Sequence, residues 1–323
     1  GRSSANCFMG SGPYRARRGA LREFAAAPGR ECRYSIAPAA VSTQAFSVLV
    51  DLHTHTSASD GELAPLALLQ MQAGAGVGLM AFTDHDTLDG WDRIAAMETT
   101  AAGLPRLLPG IEFSVDAAGR EIHVVGLGFD PAHPAIREGV AAQQLRRRAR
   151  AERIAARLEY LGVYGALAGA ELEAAGAGLG RPHFARFLVA SGRVRTLDEA
   201  FHRYLGRGKP AACRMEWPAM DEATGWIRAA GGRAVLAHPL AYKLTRSKLR
   251  ELIGQLRDCG GDAVEVALPG LTAADMEMVA QLTREAGLRA SAGSDFHAAG
   301  GWNLPGRIPA LPVGLDPVWE DWI

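Results

Sequence analysis

The sequence predicts an α/β protein whose core is a parallel sheet of seven strands that could close into a barrel. Short apolar runs alternate with longer helical stretches from residue 47 onward, which is typical of strand–helix units. The alternation stops between about residues 134 and 218, where the pattern is helical throughout. Histidines and acidic residues follow the predicted strands, and the active sites of barrels form at the C-terminal strand ends.

The elements follow in order along the chain. Strands are predicted at residues 47–53, 79–83, 107–113, 121–126, 233–237, 263–267 and 289–292. Helices are predicted at residues 65–75, 89–102, 134–161, 182–191, 197–205, 219–230, 247–259 and 273–286, the last with the capping pattern Thr272-x-x-Asp275. We therefore expect a barrel of residues 47–133 and 218–312. A helical insertion of residues 134–217 separates strands four and five and sits over the C-terminal strand ends.

Residues 1–46 differ from the rest of the chain. They are rich in Gly, Ser, Ala and Arg, with Glu23 and Glu31 as the only acids, and they show no apolar segment of a secretory signal. We expect a poorly ordered extension, which could be a transit peptide, an upstream extension or a cloning remnant.

Composition narrows the class of protein. Lys and Arg together number 35, as do Asp and Glu, so bulk charge makes no case for a nucleic-acid-binding or membrane protein. No stretch approaches the roughly 18 apolar residues of a membrane span. The four cysteines lack CxxC spacing, which favours reduced thiols and a cytoplasmic protein. No protein partner is evident.

Nine histidine and acidic residues form a candidate metal site, because each lies on or just past a predicted strand. They are His53, His55, Asp60, His85, Glu112, His123, His238, Asp295 and His297. His53 and His55 point the same way along an extended segment, so both can reach one ion. A single HxH is often structural, but burying nine such groups without partners would be costly. Mixed imidazole and carboxylate ligands suit Mn, Fe or Zn, and their number suits two or three ions.

The motif order HxH, SDG, TDHD, GIE, H, AHP, GSDFH resembles the polymerase-and-histidinol-phosphatase (PHP) family of metal-dependent phosphoesterases. It is most similar to the bacterial branch with a helical insertion, which includes 3′,5′-nucleoside bisphosphate phosphatases and enzymes that trim RNA from the 5′ end. The resemblance implies a distorted (βα)7 barrel. It also implies hydrolysis by a hydroxide held between two metals, with Mn²⁺ preferred and Fe²⁺ or Zn²⁺ as alternatives.

The resemblance also assigns the ligands. It implies a first metal on His53, His55, Glu112 and Asp295, a second bridged by Glu112 to His123 and His238, and a third on Asp60, His85 and His297. Glu112, Asp295 and His238 are the implied catalytic residues. Asp84 and Asp86 either orient His85 or serve the turn that carries it.

Substrate contacts are predicted more weakly. Arg181 and His183 begin a helix, where an arginine and the helix N-terminus favour a phosphate, although a helix cap with a surface arginine is the alternative. Lys209 in a glycine-rich loop, Tyr242 and Lys243 are further candidates. Relatives often carry an arginine where this chain has Ala241. The row Arg146, Arg150, Arg153 and Arg157 lies on one side of a helix and either guides an RNA backbone or is simply solvated.

The predicted function is hydrolysis of nucleotide phosphates, with 3′,5′-nucleoside bisphosphates or short RNA as substrate. Histidinol phosphate or another small phosphomonoester is the alternative within that class. An amidohydrolase activity is less consistent with the sequence. The common binuclear form of those enzymes needs a lysine on the fourth strand, and no lysine precedes Lys209. A non-catalytic metal-binding module is the alternative of another class.

Overall fold

A computed structural model describes residues 48–97, 103–301 and 303–323. The predicted extension of residues 1–46 lies outside this range. Within it, three strands form one parallel sheet, in the order β1 (Leu49–Asp51), β2 (Val77–Ala81) and β3 (Arg106–Leu108). Five strands form a second sheet, in the order β4 (Gly110–Ala117), β5 (Arg120–Leu127), β6 (Arg233–Leu236), β7 (Ala263–Ala267) and β8 (Arg289–Ala292).

Two strand predictions are wrong. The single strand predicted at 107–113 is two strands, because the chain leaves the first sheet at Pro109 and enters the second at Gly110. β5 runs antiparallel to both neighbours, so the sheet is not wholly parallel. The cause is a two-residue hairpin turn after β4, in which Ala118 and Gly119 have φ of 50° and 71°. The strands predicted at 263–267 and 289–292 are confirmed to the residue.

Backbone hydrogen bonds join the first sheet and its following segments to both edges of the five-stranded sheet, β4 and β8. The amide of Leu52 donates to the carbonyl of Ala292 at 3.0 Å, which connects β1 to β8. The amide of Asp86, after β2, donates to the carbonyl of Glu112 on β4 at 2.9 Å. These connections bring the segments that follow β1, β2 and β8 beside β4.

The helices agree with the prediction more closely in position than in their ends. They are α1 (Pro65–Gly74), α2 (Asp89–Ala95), α3 (Pro134–Tyr160), α4 (Ala166–Ala174), α5 (Arg181–Ala190), α6 (Leu197–Ala200), α7 (Met220–Ala229), α8 (Arg246–Asp258) and α9 (Ala273–Ala286). α6 continues as one π-helical turn, Phe201–Leu205, and short 3₁₀ turns occur at Pro239–Tyr242 and Glu320–Trp322. α2 ends at Ala95, before the predicted end, and residues 98–102 of that prediction lie outside the described range; α4 was not predicted.

α3 to α6 pack around a core of their own, in which Ile154, Leu158, Phe184 and Leu188 are buried. The five-stranded sheet packs against α7, α8 and α9 through a separate core that includes Phe113, Ile227 and Leu252. Among the described residues, no helix combines the length and apolar character needed to cross a membrane.

Candidate metal centre and adjoining cavity

Glu112 lies at the centre of the candidate metal site. It is on β4, fully buried, and each carboxylate oxygen faces a different group of ligand atoms. Its Oε2 lies 3.3 Å from His53 Nε2 and 3.2 Å from His55 Nε2. Asp295 Oδ1 lies 3.5 Å from His53 Nε2 and 3.3 Å from His55 Nε2. Four side chains from β4 and from the segments after β1 and β8 therefore converge on one point.

The other oxygen of Glu112 faces a second group. Glu112 Oε1 lies 2.8 Å from His123 Nδ1 on β5 and 3.0 Å from His238 Nε2 just after β6. The two imidazole nitrogens are 3.2 Å apart. His238 has φ of 27° and Asp295 has φ of 53°. Residues other than glycine rarely adopt such backbone conformations, which concentrate at functional sites.

A third group surrounds Asp60. Its carboxylate lies 3.4 Å from His297 Nε2, 3.8 Å from His85 Nε2 and 3.8 Å from His55 Nδ1. His55 and His85 thus present one ring nitrogen to Asp60 and the other to Glu112, His85 Nδ1 being 3.0 Å from Glu112 Oε2. The structure places all nine predicted ligand residues in these three connected groups.

The donor set fits divalent cations. Glu112 Oε2, His55 Nδ1, His85 Nδ1 and His238 Nδ1 are buried and form no hydrogen bond of acceptable geometry within the described residues. Buried polar atoms are normally paired, and three of these unpaired atoms, Glu112 Oε2, His55 Nδ1 and His85 Nδ1, lie near other ligand residues, which indicates a missing positive charge. Imidazole and carboxylate ligands together match Mn, Fe or Zn.

The charges of the centre are strongly coupled. Burial alone would raise the pKa of Glu112, but the imidazoles of His85, His123 and His53 outweigh it and hold that pKa well below the usual range. Burial alone would lower the pKa of His123, but the Glu112 carboxylate outweighs burial and raises that pKa to about 10. A protonated His123 therefore balances carboxylate charge, and a cation bound there would take over that role.

Glu265 is a functional residue that the sequence reasoning missed. It is buried on β7, and its Oε1 accepts a hydrogen bond from His53 Nδ1 at 3.0 Å. Its Oε2 accepts from the backbone amide of His238 at 2.6 Å. A donor bond from Nδ1 fixes the tautomer of His53 and leaves Nε2 free to bind a cation. The available signal was a single charged residue within the apolar strand Ala-Val-Glu-Val-Ala.

Tyr242 contacts both histidines of the second group, His123 and His238. Its hydroxyl donates to the carbonyl of Ala237 at 3.1 Å and accepts from the amide of His123 at 2.9 Å. Its ring packs edge-on against His238, with centroids 5.4 Å apart. Burial raises the pKa of the Tyr242 phenol well above its usual range, so the hydroxyl stays protonated and able to donate.

Within the described residues, neither Asp84 nor Asp86 forms a hydrogen bond with the ring of His85. Asp84 accepts from the amide and hydroxyl of Thr56, at 2.8 and 2.7 Å, and from the hydroxyl of Ser59 at 2.6 Å. It therefore fixes the loop that carries Asp60. Asp86 accepts from Arg147 Nε at 2.6 Å, which ties α3 to the segment after β2.

A cavity of about 850 Å³ opens beside the second group, with His123 and His238 in its wall. Six cationic and two acidic side chains line it: Arg120, Arg150, Arg181, Arg207, Arg214, Lys243, Asp116 and Glu121. Arg150 makes a paired contact with the two oxygens of Glu121, at 3.1 and 2.9 Å, and Arg181 lies 3.6 Å from the same carboxylate. Burial opposes ionisation of Glu121, but the nearby imidazole of His123 and the two arginines hold its pKa well below the usual range. Leu205, Met215 and Trp217 supply apolar wall.

Comparison with known proteins identifies relatives over nearly the whole described chain, although the sequence matches no family profile. It is 42% identical over 285 residues to the 5′-3′ exoribonuclease Rnm of Salmonella typhimurium, covering 88% of this chain and 97% of the relative. It is 38% identical over 280 residues to the 3′,5′-nucleoside bisphosphate phosphatase of Chromobacterium violaceum, covering 84% and 95%. The chain belongs to the same family as these two enzymes. That family is the branch of PHP metal-dependent phosphoesterases that the motif order predicted.

Solved structures agree with the assignment to this phosphoesterase family. A Chromobacterium violaceum protein described as an amidohydrolase, with bound sulfate and no metal, is 37% identical with a TM-score of 0.77, covering 84% of this chain and 95% of that one. A protein from Bifidobacterium adolescentis described as a metal-dependent phosphoesterase is 27% identical with a TM-score of 0.66, covering 84% and 93%.

Some of the residues predicted to bind substrate in this phosphoesterase line the cavity, and others do not. Arg181 and Lys243 line the cavity, as does Ala241. Tyr242 also lines it, but its hydroxyl is already committed to the backbone. Lys209 is not among the described residues that line the cavity. Its neighbours Arg207 and Gly208 are.

His183 is fully engaged by the protein. Its Nδ1 accepts from the amide of Gly180 at 2.9 Å and its Nε2 donates to the carbonyl of Ser59 at 3.1 Å, next to Asp60. Burial and the nearby Arg186 lower its pKa to about 4, so the ring is neutral at pH 7. The structure thus gives His183 the task of tying α5 to the loop of Asp60.

Proposed function

We propose that this chain hydrolyses nucleotide phosphoesters: it removes the 3′-phosphate of 3′,5′-nucleoside bisphosphates, trims short RNA from its 5′ end, or does both. The observation that carries the proposal is a cationic cavity of about 850 Å³ directly beside His123 and His238. A small monophosphate would use the centre alone, whereas a nucleotide with a second phosphate also uses these charges. The names of the relatives support the same substrate class.

The residues that would hold metal are the three groups already described, with Glu112 shared between the first and second. Divalent ions, of which Mn²⁺ is our preferred assignment and Fe²⁺ or Zn²⁺ the alternatives, would supply an activated water and neutralise charge on the phosphate oxygens. Glu112 keeps the two groups in register because its two oxygens face them separately. Asp295 and His238 complete them and are the other residues that we assign to catalysis.

The substrate would be gripped outside the centre by arginines. Arg150 and Arg181 both lie against the carboxylate of Glu121, so they can present two planar donor groups to one anion. Glu121 holds them in this position without substrate. Lys243, exposed at the rim, adds a point charge where relatives often carry an arginine at position 241.

The proposal includes an architecture. We infer that the two sheets, joined at both edges, form one distorted (βα)7-type barrel of residues 47–133 and 218–312. The helices of residues 134–217 are then an insertion whose Arg150 and Arg181 reach back to the C-terminal strand ends. In this arrangement the barrel supplies the chemistry and the insertion supplies substrate recognition.

The test is phosphate release by Mn²⁺-loaded protein from 3′-phosphoadenosine 5′-phosphate, a 5′-phosphorylated RNA and histidinol phosphate, with metal content measured in each sample. Glu112→Gln is the inactive comparison, and Glu277→Gln, an exposed residue on α9, is the matched control. We expect turnover of the bisphosphate or RNA, lost only in the Glu112 variant. Turnover of histidinol phosphate alone would favour that second substrate class. No turnover by metal-loaded protein would refute the proposal.

A further inference from the structure

One side of α3 carries a row of arginines that ends in an exposed tyrosine. Arg146, Arg150, Arg153, Arg157 and Tyr160 recur every three or four residues, so they lie on the same side of the helix. Arg150 is buried in the cavity wall, whereas Arg153 and Arg157 are exposed. From Arg150 onward the row therefore runs from the cavity wall outward along the surface.

The exposed arginines border the cavity itself. Arg153 Nη1 lies 3.7 Å from the sulfur of Met215, and Arg157 donates to the carbonyl of Ala212. Met215 and Ala212 both line the cavity. Arg153 and Arg157 are thus rim residues, and any chain that leaves the cavity on this side must pass them.

Beyond the rim lie two exposed aromatic side chains. Tyr160 is 92% exposed and Tyr164 is 78% exposed, and the carbonyl of Gly162 between them accepts a hydrogen bond from Arg193 at 2.7 Å. Exposed tyrosines flanked by arginines are the combination that binds single-stranded nucleic acid, with bases stacked on the rings and phosphates on the guanidinium groups.

The charge on this side of the helix is of one sign. The acids nearest in sequence, Glu152 and Glu159, fall on the opposite side of α3, and Glu152 is paired with Arg148 at 2.9 Å. A polyanion is therefore the partner that this surface fits. From Arg150 to Tyr160 the helix rises about 15 Å at 1.5 Å per residue, which is beyond the reach of a mononucleotide held at the metal centre.

We propose that Arg153, Arg157, Tyr160 and Tyr164 form a surface track for the part of an RNA substrate that extends out of the cavity. The inference rests on the proposed function, because it takes the end of that RNA to be held at the metal centre. The track distinguishes long substrates from short ones and leaves the chemistry unchanged.

The experiment compares two paired variants, Tyr160→Ala/Tyr164→Ala and Arg153→Gln/Arg157→Gln, with a control pair on α8, Arg250→Gln/Arg257→Gln. Unfolding temperatures establish that each variant folds. KM and kcat are measured with 3′-phosphoadenosine 5′-phosphate and with 5′-phosphorylated RNAs of increasing length. Binding of fluorescent RNA is measured separately in the Glu112→Gln background, so that it does not depend on turnover.

We expect both track variants to raise KM and Kd for the longer RNAs by at least about 5-fold, the effect of losing one stacked base. KM for the bisphosphate should stay unchanged. The arginine variant should also weaken the salt dependence of RNA binding. Equal KM values for long RNA in track and control variants, or equal losses on the bisphosphate, would overturn the track. Absence of wild-type RNA binding with intact bisphosphate turnover would overturn the track alone, whereas absence of both would refute the proposed function as well.

Discussion

Replacing Glu265 with glutamine should weaken metal binding without changing a metal ligand. The carboxylate accepts two hydrogen bonds, one from His53 Nδ1 at 3.0 Å and one from the amide of His238 at 2.6 Å. Glutamine has the same shape but only one acceptor oxygen. Whichever way the amide points, its NH₂ group faces one of the two donors, so either His53 loses its orienting partner or the His238 segment is pushed away.

The size of the effect follows from the two contacts. Partners that orient a metal-bound histidine typically contribute 10–100-fold in metal affinity, and a tenfold change in Kd corresponds to about 1.4 kcal/mol. We therefore expect the Kd for Mn²⁺ to rise by about 10–100-fold in Glu265→Gln. Because the ligands themselves remain, saturating Mn²⁺ should restore most of kcat.

Titration calorimetry with Mn²⁺, followed by kcat as a function of Mn²⁺ concentration, measures both quantities. Glu277→Gln on α9 makes the same chemical change on the surface and should match the wild type. A Glu265→Gln variant that keeps its Mn²⁺ affinity within twofold would refute the orienting role. Lost kcat that excess Mn²⁺ does not restore would refute it too, because damage to the fold then explains the result.

Three further predictions concern the surroundings of the centre. Tyr242→Phe should lower the free energy of unfolding by about 1–3 kcal/mol in a denaturant titration, because the buried amide of His123 loses its acceptor; an unchanged value would contradict the assigned contact. His183 should titrate near pH 4 by NMR and not near 6.5. Since its folded pKa is the lower one, the unfolded chain binds more protons between those values, so stability should fall by roughly 3 kcal/mol as the pH drops from 6.5 to 4. His183→Gln should remove that part of the acid sensitivity. Titration of the His183 imidazole near pH 6.5 would refute this prediction. Chelation should lower the melting temperature and added Mn²⁺ should restore it, because binding at 100 times Kd stabilises the folded state by about 2.7 kcal/mol; a melting temperature indifferent to both would argue against a resident metal.

The sequence predicted where elements lie better than how they pair. Hydrophobic patterns locate a buried strand but carry no information on the direction of its neighbours. The antiparallel placement of β5 depends on the turn at Ala118 and Gly119, which lacks the usual Asn-Gly signal and uses a positive φ at alanine. α4 was missed because its apolar side is built mostly of alanine, with Ala166, Ala170 and Ala174 as its buried residues.

The residues of the centre were predictable to the extent that they occur in motifs. Most of the nine predicted ligand residues stand in short motifs on or just past strands, His123 being a single histidine on β5, and the structure brings all nine into three connected groups. Glu265, Glu121 and the hydroxyl of Tyr242 contribute single positions, and their roles arise from contacts between distant segments. The contact of Glu265 with His53 spans 212 residues, and no local pattern encodes such a pair.

Glu121 connects the centre to the cavity, and this position has a consequence for substrate choice. Its carboxylate pairs with Arg150 and Arg181 and also lies 3.8 Å from His123. A substrate phosphate that takes these arginines must therefore compete with a carboxylate that is already desolvated and well paired. A doubly charged phosphate offers more charge and more acceptor oxygens than Glu121 does, whereas a neutral or singly charged group does not. We therefore propose that these arginines of α3 and α5 favour substrates with a second phosphate, so that they, and not the metal centre, select among phosphoesters.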